Sequence, residues 1–266
     1  MNMAQHPYVH LFGSSRTDGA ASMKNLLGGK GANLAEMCRL GITVPSGFTI
    51  STEACTVFTE QGKDAALRLI EAEVLKGVTF VEGEMGKKFG NAADPLLLSV
   101  RSGARASMPG MMDTILNLGL NDEAVRGLAA KAGDERFAWD SYRRFVQMYG
   151  DVVMGLKPVS KEDHDPFEVV IEMVKEKRGV LLDTDLDTAD LKELVARFKA
   201  LIRARIGRDF PTDPWEQLWG SVVAVFESWN NDRARVYREL NDIPEAWGTA
   251  VNVQAMVFGN LGDSSA

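Results

Sequence analysis

The periodicity of the apolar residues changes near residue 121, and this change limits the folds that the chain can adopt. Before it, short stretches with strand character alternate with helical ones, and residues 95–100 form the clearest buried strand. After it, the pattern is helical almost without interruption, and residues 190–206 place their apolar side chains on one face. One apolar strand follows at residues 250–258. We therefore predict an α+β fold with a helical insert at residues 121–207.

Weaker patterns predict the remaining elements of this fold. Strands are expected at residues 8–12 and 42–50, and helices at residues 63–89, 135–149 and 167–177. A Gly-Gly-Lys-Gly loop at residues 28–31 is expected to run directly into another helix, which ends at residue 40. The helix at residues 63–89 should be irregular, because three glycines interrupt it. Thr188 is the expected N-cap of the helix at residues 190–206.

Two stretches near the C-terminal end are interpreted as structural. Trp215, Trp219, Phe226 and Trp229 have the spacing of one packed helix face, which favours core over a base-stacking platform. The charged run at residues 231–239 predicts a solvated, ion-paired helix face.

Charge and composition exclude some classes of function. The 266 residues include 30 Lys and Arg against 37 Asp and Glu, and the net charge of −7 argues against general nucleic-acid binding. A nucleotide substrate remains open, since a phosphate site needs only a few local cations and N–H groups. No apolar run could cross a bilayer and no secretory signal is visible, so we expect no membrane partner. The two cysteines, Cys38 and Cys55, fall in predicted helices and indicate reduced thiols in a cytoplasmic protein.

A glycine-rich segment that opens a helix is the first candidate for a phosphate site. Gly29 and Gly31 would let the backbone approach a ligand closely, and Lys30 between them adds a positive charge. The segment is not a Walker A loop, which requires a different spacing and a Ser or Thr after the lysine. A glycine-rich turn with a solvated lysine is the alternative interpretation.

Two arginines form the second candidate. The predicted strand at residues 95–100 leads into a loop at residues 101–113 that carries Arg101 and Arg105. A guanidinium at the carboxyl end of a strand suits phosphate oxygens. A pair of surface salt bridges would give the same pattern. The segment at residues 108–112, Met-Pro-Gly-Met-Met, would be either a lid over a nucleotide or Met-rich core.

Stretches in four parts of the chain together resemble the pyruvate phosphate dikinase family. They lie, in the family's order, at residues 26–37, 44–50, 99–120, and 213–220 with 247–259. The match extends over essentially the whole chain and is therefore far more specific than any single motif. Phosphoenolpyruvate synthase, the alternative, shares the first two stretches in looser form but differs after Val-Arg-Ser in the third.

The resemblance implies an ATP-grasp nucleotide-binding domain. In the family this domain passes a phosphoryl group from ATP, with Mg²⁺, to a histidine on a separate swivelling domain, and a distal barrel transfers it to pyruvate. By motif match Lys30 resembles the lysine that contacts ATP phosphates, and Arg101 the arginine that steadies the transferring group. Arg105, Gly29 and Gly31 are weaker correspondences. The parent enzyme is expected to be a homo-oligomer.

The sequence departs from the family mainly by where it stops. The family continues into a glycine-rich hairpin over the nucleotide and acidic residues for magnesium, so metal ligands are expected outside this chain. We expect residues 1–120 with 208–245 to form a first lobe, residues 121–207 an insert, and residues 246–266 the start of a truncated second lobe. None of His6, His10 and His164 lies in a setting that suggests a phosphoryl carrier.

The isolated chain is therefore expected to be inactive. Two other classes stay open: a structural or interaction fragment without a ligand, and a free-standing ATP-dependent ligase or kinase with a short second lobe.

Overall fold

The structure, a computed structural model, describes residues 7–160 and 163–259 and combines helices with an antiparallel sheet. The helices are α1 (Lys24–Arg39), α2 (Thr52–Gln61), α3 (Lys63–Met85), α4 (Ala124–Ala132), α5 (Glu135–Val152), α6 (Pro166–Arg178), α7 (Thr188–Ile206), α8 (Pro214–Ser228) and α9 (Asp232–Leu240). The strands are β1 (Val9–Phe12), β2 (Gly47–Ile50), β3 (Lys88–Phe89), β4 (Pro95–Leu96), β5 (Leu98–Ala104), β6 (Thr114–Leu118) and β7 (Thr249–Ala255). This composition confirms the predicted α+β class.

Internal contacts divide the chain into two compact units. The sheet unit consists of Met1–Phe89, Leu98–Thr114 and Ser221–Val257, and the helical unit of Gly90–Leu97, Ile115–Gly220 and Phe258–Ala266. Among the described residues, no helix combines the length and apolar character that a membrane span requires.

The sheet unit is built on strands β1, β2, β7 and β5, which lie in that order and pair antiparallel. All seven residues of β7 are buried, as expected for a strand with a neighbour on each side. The strand predicted at residues 250–258 is thus found at Thr249–Ala255, in the interior of the sheet.

Three helices cover this sheet. Helix α1 packs against β5 and β7, α2 against β7, and α3 against β1 and β2. The prediction that the helix at residues 63–89 would be irregular is wrong, because α3 continues without a break from Lys63 to Met85. Its Gly77 has a packing role, since a Cβ there would lie 2.8 Å from the Phe48 ring.

The helical unit contains α4, α5, α6 and α7, of which α5 packs against α4 and α7. The helices predicted at residues 135–149, 167–177 and 190–206 are confirmed as α5, α6 and α7. The N-cap of α7 is Asp187 rather than the predicted Thr188. The Asp187 carboxylate accepts hydrogen bonds from the backbone N–H groups of Ala189 and Asp190.

Two interpretations of the C-terminal stretches have different outcomes. Phe226 and Trp229 are buried as predicted, whereas Trp215 and Trp219 are only half-buried. The charged helix α9 is not solvated at Arg238, which is 5% exposed and lies 4.3 Å from the centre of the Trp229 ring. The Trp229 carbonyl oxygen also accepts a hydrogen bond from Arg238, so a ring face and a carbonyl group hold this cation in the interior.

Glu84, near the end of α3, holds the turn that follows β1. Its Oε2 accepts hydrogen bonds from the Ser14 N–H at 2.7 Å, the Ser14 hydroxyl at 2.7 Å and the Ser46 hydroxyl at 3.0 Å. Its Oε1 accepts from the N–H of Ser15 at 3.1 Å and from the Ser15 hydroxyl. Desolvation favours the neutral acid, but the bonds from Ser15 and Ser14 outweigh it and lower the pKa of Glu84 from 4.5 to about 2.

Replacing Glu84 with Gln should remove a stabilising effect that depends on pH. A carboxyl whose pKa is lower in the folded state contributes fully above its unfolded pKa, and loses that contribution as the pH falls through its folded pKa. The free energy of unfolding of Glu84→Gln should therefore be below that of the parent chain at about pH 7, and the difference should shrink at about pH 3.

Urea unfolding at both pH values measures this difference. Glu71→Gln, a change at an exposed position of the same helix, is the matched control and should behave like the parent chain at both pH values. A Glu84→Gln difference of equal size at both pH values would contradict the prediction.

Candidate phosphate-binding cleft

The glycine-rich segment produces a break inside α1. The helix begins at Lys24, earlier than the predicted loop would allow, but Gly28 has φ 67° and ψ 172° and interrupts it. The helical path resumes at Gly29, so Lys30 lies in the first turn after the break. A Cβ on Gly28 would overlap the carbonyl oxygen of Gly103 in β5, so glycine is required both for the backbone angle and for the close approach.

A cleft of about 510 Å³ lies beside this break, within the sheet unit. It is lined by Lys24, Gly29, Lys30 and Asn33 of α1, by residues 102–110, and by Met112 and Thr114. Its volume is in the roughly 300–1,000 Å³ range of small-molecule sites. Among these described lining residues the ionisable ones are Lys24, Lys30 and Arg105, so the cleft is cationic although the chain carries a net charge of −7.

Lys30 is an exposed residue that faces this cleft. Its pKa is lowered from the usual lysine value, first by desolvation and second by the positive charge of Arg101. A bound anion would offset both effects on Lys30, because its negative charge pairs with the ammonium group and with the guanidinium group of Arg101.

Arg101 lies inside β5 rather than after it, opposite Asn252 of β7. The prediction that a loop begins at Arg101 is therefore wrong, since the strand continues through Ala104. Arg101 is not among the residues that line the cleft, but its charge acts on Lys30. Its buried Nε has no hydrogen-bond partner among the residues that the structure describes.

Arg105 follows the end of β5 and lines the cleft. Its guanidinium carbon lies 5.6 Å from the centre of the Trp247 ring, which orients the fork by a cation–π contact. The buried Nε of Arg105, like that of Arg101, is without a hydrogen-bond partner in the described part of the chain. The structure thus brings Gly29, Lys30 and Arg105 to one cleft, with Arg101 close enough to interact.

Gly31 does not line the cleft and has a different role. A Cβ at Gly31 would lie 2.7 Å from Oγ1 of Thr49 and 2.9 Å from Oδ1 of Asn252, so this glycine lets α1 lie close to the sheet. Thr49 donates a hydrogen bond of 2.9 Å to Asn252. Sequence reasoning missed Lys24, Asn33 and Asn252, and only Asn252 carried a local signal, as a polar residue between Val251 and Val253.

The methionine-containing loop after β5 is tied to α9. Tyr237 donates a hydrogen bond of 3.4 Å to the carbonyl oxygen of Ser107, and the Asn231 amide donates one of 3.1 Å to the carbonyl oxygen of Met111. Met108 is buried and lines the cleft, whereas Pro109 and Gly110 are exposed. The loop therefore forms one wall of the cleft and is held from its outer side.

The described residues do not form a magnesium site. No group of three or more His, Cys, Asp or Glu side chains among them could hold a metal ion, and no carboxylate lines the described part of the cleft. His10 and His164 do not line it either, and His6 lies outside the described residues.

A cationic cleft beside an antiparallel sheet is what an α+β domain that binds a phosphate-containing ligand would need, and comparison with known proteins identifies the family. The chain matches the family model described as pyruvate phosphate dikinase, AMP/ATP-binding domain, over residues 24–76 and 68–265. It belongs to this family, as the resemblance of the sequence predicted.

The relatives of this chain are much longer than the segment that it matches. The chain is 59% identical over 249 residues to pyruvate, phosphate dikinase of Clostridium symbiosum, covering 93% of this chain and 28% of the relative. It is 56% identical over 259 residues to the Rhizobium meliloti (strain 1021) protein, covering 97% and 28%. It is 54% identical over 257 residues to pyruvate, phosphate dikinase 1, chloroplastic, of Arabidopsis thaliana, covering 97% and 26%. The chain spans about a quarter of the length of these relatives.

Proposed function

We propose that this chain is the ATP-binding portion of a pyruvate phosphate dikinase of the ATP-grasp type. ATP binds with its phosphates in the cationic cleft, and the terminal phosphoryl group passes to a carrier histidine on a swivelling domain outside this chain, on the way to phosphoenolpyruvate. The observation that carries the proposal is the convergence of Lys30 and Arg105 on a cleft beside the glycine break of α1, where a resumed helix start favours an anion.

The roles of the side chains follow from their chemistry. Lys30 supplies a point charge at the start of the resumed helix, where the backbone amides also favour an anion. Arg105 offers a planar fork to phosphate oxygens. Arg101, held by the sheet next to Lys30, neutralises charge that develops on the transferring group, and we assign it as the catalytic residue.

Magnesium would neutralise charge on the phosphates when bound. Because the described lining offers no carboxylate, we derive no role for this chain's residues in holding it. Three further parts of the proposal come from the resemblance to the family. The enzyme is a cytoplasmic homo-oligomer, residues 121–207 form an insert, and the 266-residue chain alone does not catalyse the reaction. A structural fragment without a ligand is the competing function.

Calorimetric titration with ATP separates these two functions. The parent chain should bind ATP weakly, and Lys30→Ala should raise the dissociation constant by roughly tenfold, the effect of losing one charge-assisted contact. Lys63→Ala is the matched control, since Lys63 is an exposed lysine at the start of α3 that does not line the cleft.

The outcomes are distinguishable. No heat of binding with the parent chain would favour the structural fragment. Equal affinities for the parent chain and Lys30→Ala would place ATP elsewhere on the molecule.

A further inference from the structure

Trp247 contacts a residue of the cationic cleft without lining the cleft itself. It is half-buried and comes shortly before strand β7 in the sheet unit. The centre of its ring lies 5.6 Å from the guanidinium carbon of Arg105, which does line the cleft. Because Trp247 is not among the described lining residues, its effect on a ligand in the cleft is transmitted through Arg105.

The pairing of β5 with β7 brings these two residues together. Ala104 at the end of β5 lies opposite Thr249 at the start of β7. Arg105 is the next residue after Ala104, and Trp247 comes two residues before Thr249. Since the ladder of an antiparallel pair fixes its register, both residues leave the sheet from fixed positions. The remaining freedom lies in the long side chain of Arg105.

The segment that carries the Trp247 ring is tied to the interior of the sheet unit. Trp247 ends a short 3₁₀ turn that begins at Glu245. The Glu245 carbonyl oxygen accepts a hydrogen bond of 2.9 Å from Nε1 of Trp229. Trp229 is 1% exposed, and the Arg238 guanidinium lies over its ring. A buried side chain thus holds the turn from which the Trp247 ring extends.

Arg105 benefits from this contact because its side chain has many rotamers. Fixing such a side chain when a ligand binds costs conformational entropy and weakens binding. Within the described part of the chain, the contact with Trp247 is the one directional interaction of the Arg105 guanidinium. Unlike a carboxylate, the ring neither neutralises the guanidinium nor occupies its N–H groups. The side chain is therefore held while its charge and its donors stay available to an anion.

We propose that Trp247 is a positioning residue of the cationic cleft. Its ring holds the guanidinium of Arg105 before a ligand arrives, and phosphate oxygens then accept hydrogen bonds from a fork that is already oriented. A carboxylate in place of the ring would also hold Arg105, but it would repel the phosphates. The proposal rests on the proposed function, since it takes the ligand to be ATP with its phosphates in this cleft.

The contact is tested first without a ligand, on the 266-residue chain. A tryptophan ring shifts the NMR signals of protons near its face, and the Nε–H signal of Arg105, assigned from the variant Arg105→Lys, reports this shift. Trp247→Leu keeps an apolar side chain but removes the ring, so the signal should move toward that of a solvated arginine. Trp247→Phe keeps a smaller ring and should move it less. An unchanged signal in Trp247→Leu would overturn the proposal.

Calorimetric titration with ATP then tests the effect on binding. Trp247→Leu should raise the dissociation constant roughly fivefold, the effect of losing one partly exposed cation–π contact, and Trp247→Phe should raise it less. Trp139→Leu is the matched control and should bind ATP as the parent chain does. Trp139 is also half-buried and has a cation–π contact, with Nζ of Lys192 at 5.3 Å, but it lies in the helical unit and does not line the cleft.

A double-mutant cycle with Arg105→Ala separates positioning from a general structural role. If the ring acts through Arg105, Trp247→Leu should not weaken ATP binding any further once Arg105 has been replaced with alanine. An equal loss of affinity with and without Arg105, in variants that thermal unfolding shows to be folded, would mean that Trp247 only supports the fold.

The proposed function and the role of Trp247 fail in different ways. No binding of ATP by the parent chain would contradict the proposed function, and the role of Trp247 with it. Binding by the parent chain that Trp247→Leu leaves unchanged would contradict the role of Trp247 alone.

Discussion

Gly28→Ala should destabilise the sheet unit by more than about 3 kcal/mol, because it combines two costs at one position. The first is the positive φ of 67°, which an alanine adopts only at a cost of roughly 1 kcal/mol. The second is steric, since the new methyl group would overlap the backbone carbonyl of Gly103, and a strand cannot move aside as a side chain can. Urea unfolding measures the loss, and ATP affinity should fall with it, because this break in α1 forms the cleft.

Gly41→Ala is the matched control for this change. Gly41 follows α1 with φ 78°, but a Cβ there would have no atom within 4 Å in the described structure. The control therefore has the cost of the positive φ but no steric overlap, and its free energy of unfolding should fall by only about 1 kcal/mol. If the two variants were equally stable, the close approach of α1 to β5 would not be a determinant of stability.

Arg101→Ala should reduce the rate of phosphoryl transfer from ATP to the carrier histidine at least about a hundredfold, in a full-length dikinase that contains this chain. The side chain supplies positive charge beside the transferring group, whose negative charge is spread over three equatorial oxygens in the transition state, and alanine removes this stabilisation. Arg101→Lys keeps the charge but not the planar fork, so it should retain part of the activity. Rapid-quench measurement of histidine phosphorylation by ATP gives these rates.

The exchange of pyruvate with phosphoenolpyruvate controls for misfolding. This half-reaction takes place at the distal barrel in the proposed mechanism and does not use ATP, so Arg101→Ala should leave it near normal. A loss of exchange as large as the loss of phosphorylation by ATP would show that the variant is misfolded, and the catalytic assignment would be withdrawn.

Patterns among neighbouring residues predicted the elements whose formation depends mainly on those neighbours. The amphipathic helices α5, α6 and α7 were found because their apolar residues repeat at the helical period. Lys30 was placed at a helix start because glycines interrupt that period directly before it. Arg101 was assigned to a loop because the polar and small residues at 101–104 lack the apolar alternation of a strand, whereas pairing with β7 keeps them extended.

Features that depend on distant partners could not be predicted in this way. The central position of β7 results from pairing with Gly47–Ile50 and Leu98–Ala104. The seven residues of β7 do not themselves indicate which strands pair with it. The burial of Arg238 depends on the ring and carbonyl of Trp229, nine residues earlier.

The central position of β7 has a consequence for synthesis on the ribosome. Strands β2 and β5 leave the ribosome long before residues 249–255, which fill the place between them. Until then each has an unpaired edge, of the kind on which neighbouring nascent chains can associate. Residues 115–220 of the helical unit emerge before β7, and α5 packs against α4 and α7 within this range, so these helices can pack before the middle strand of the sheet is available.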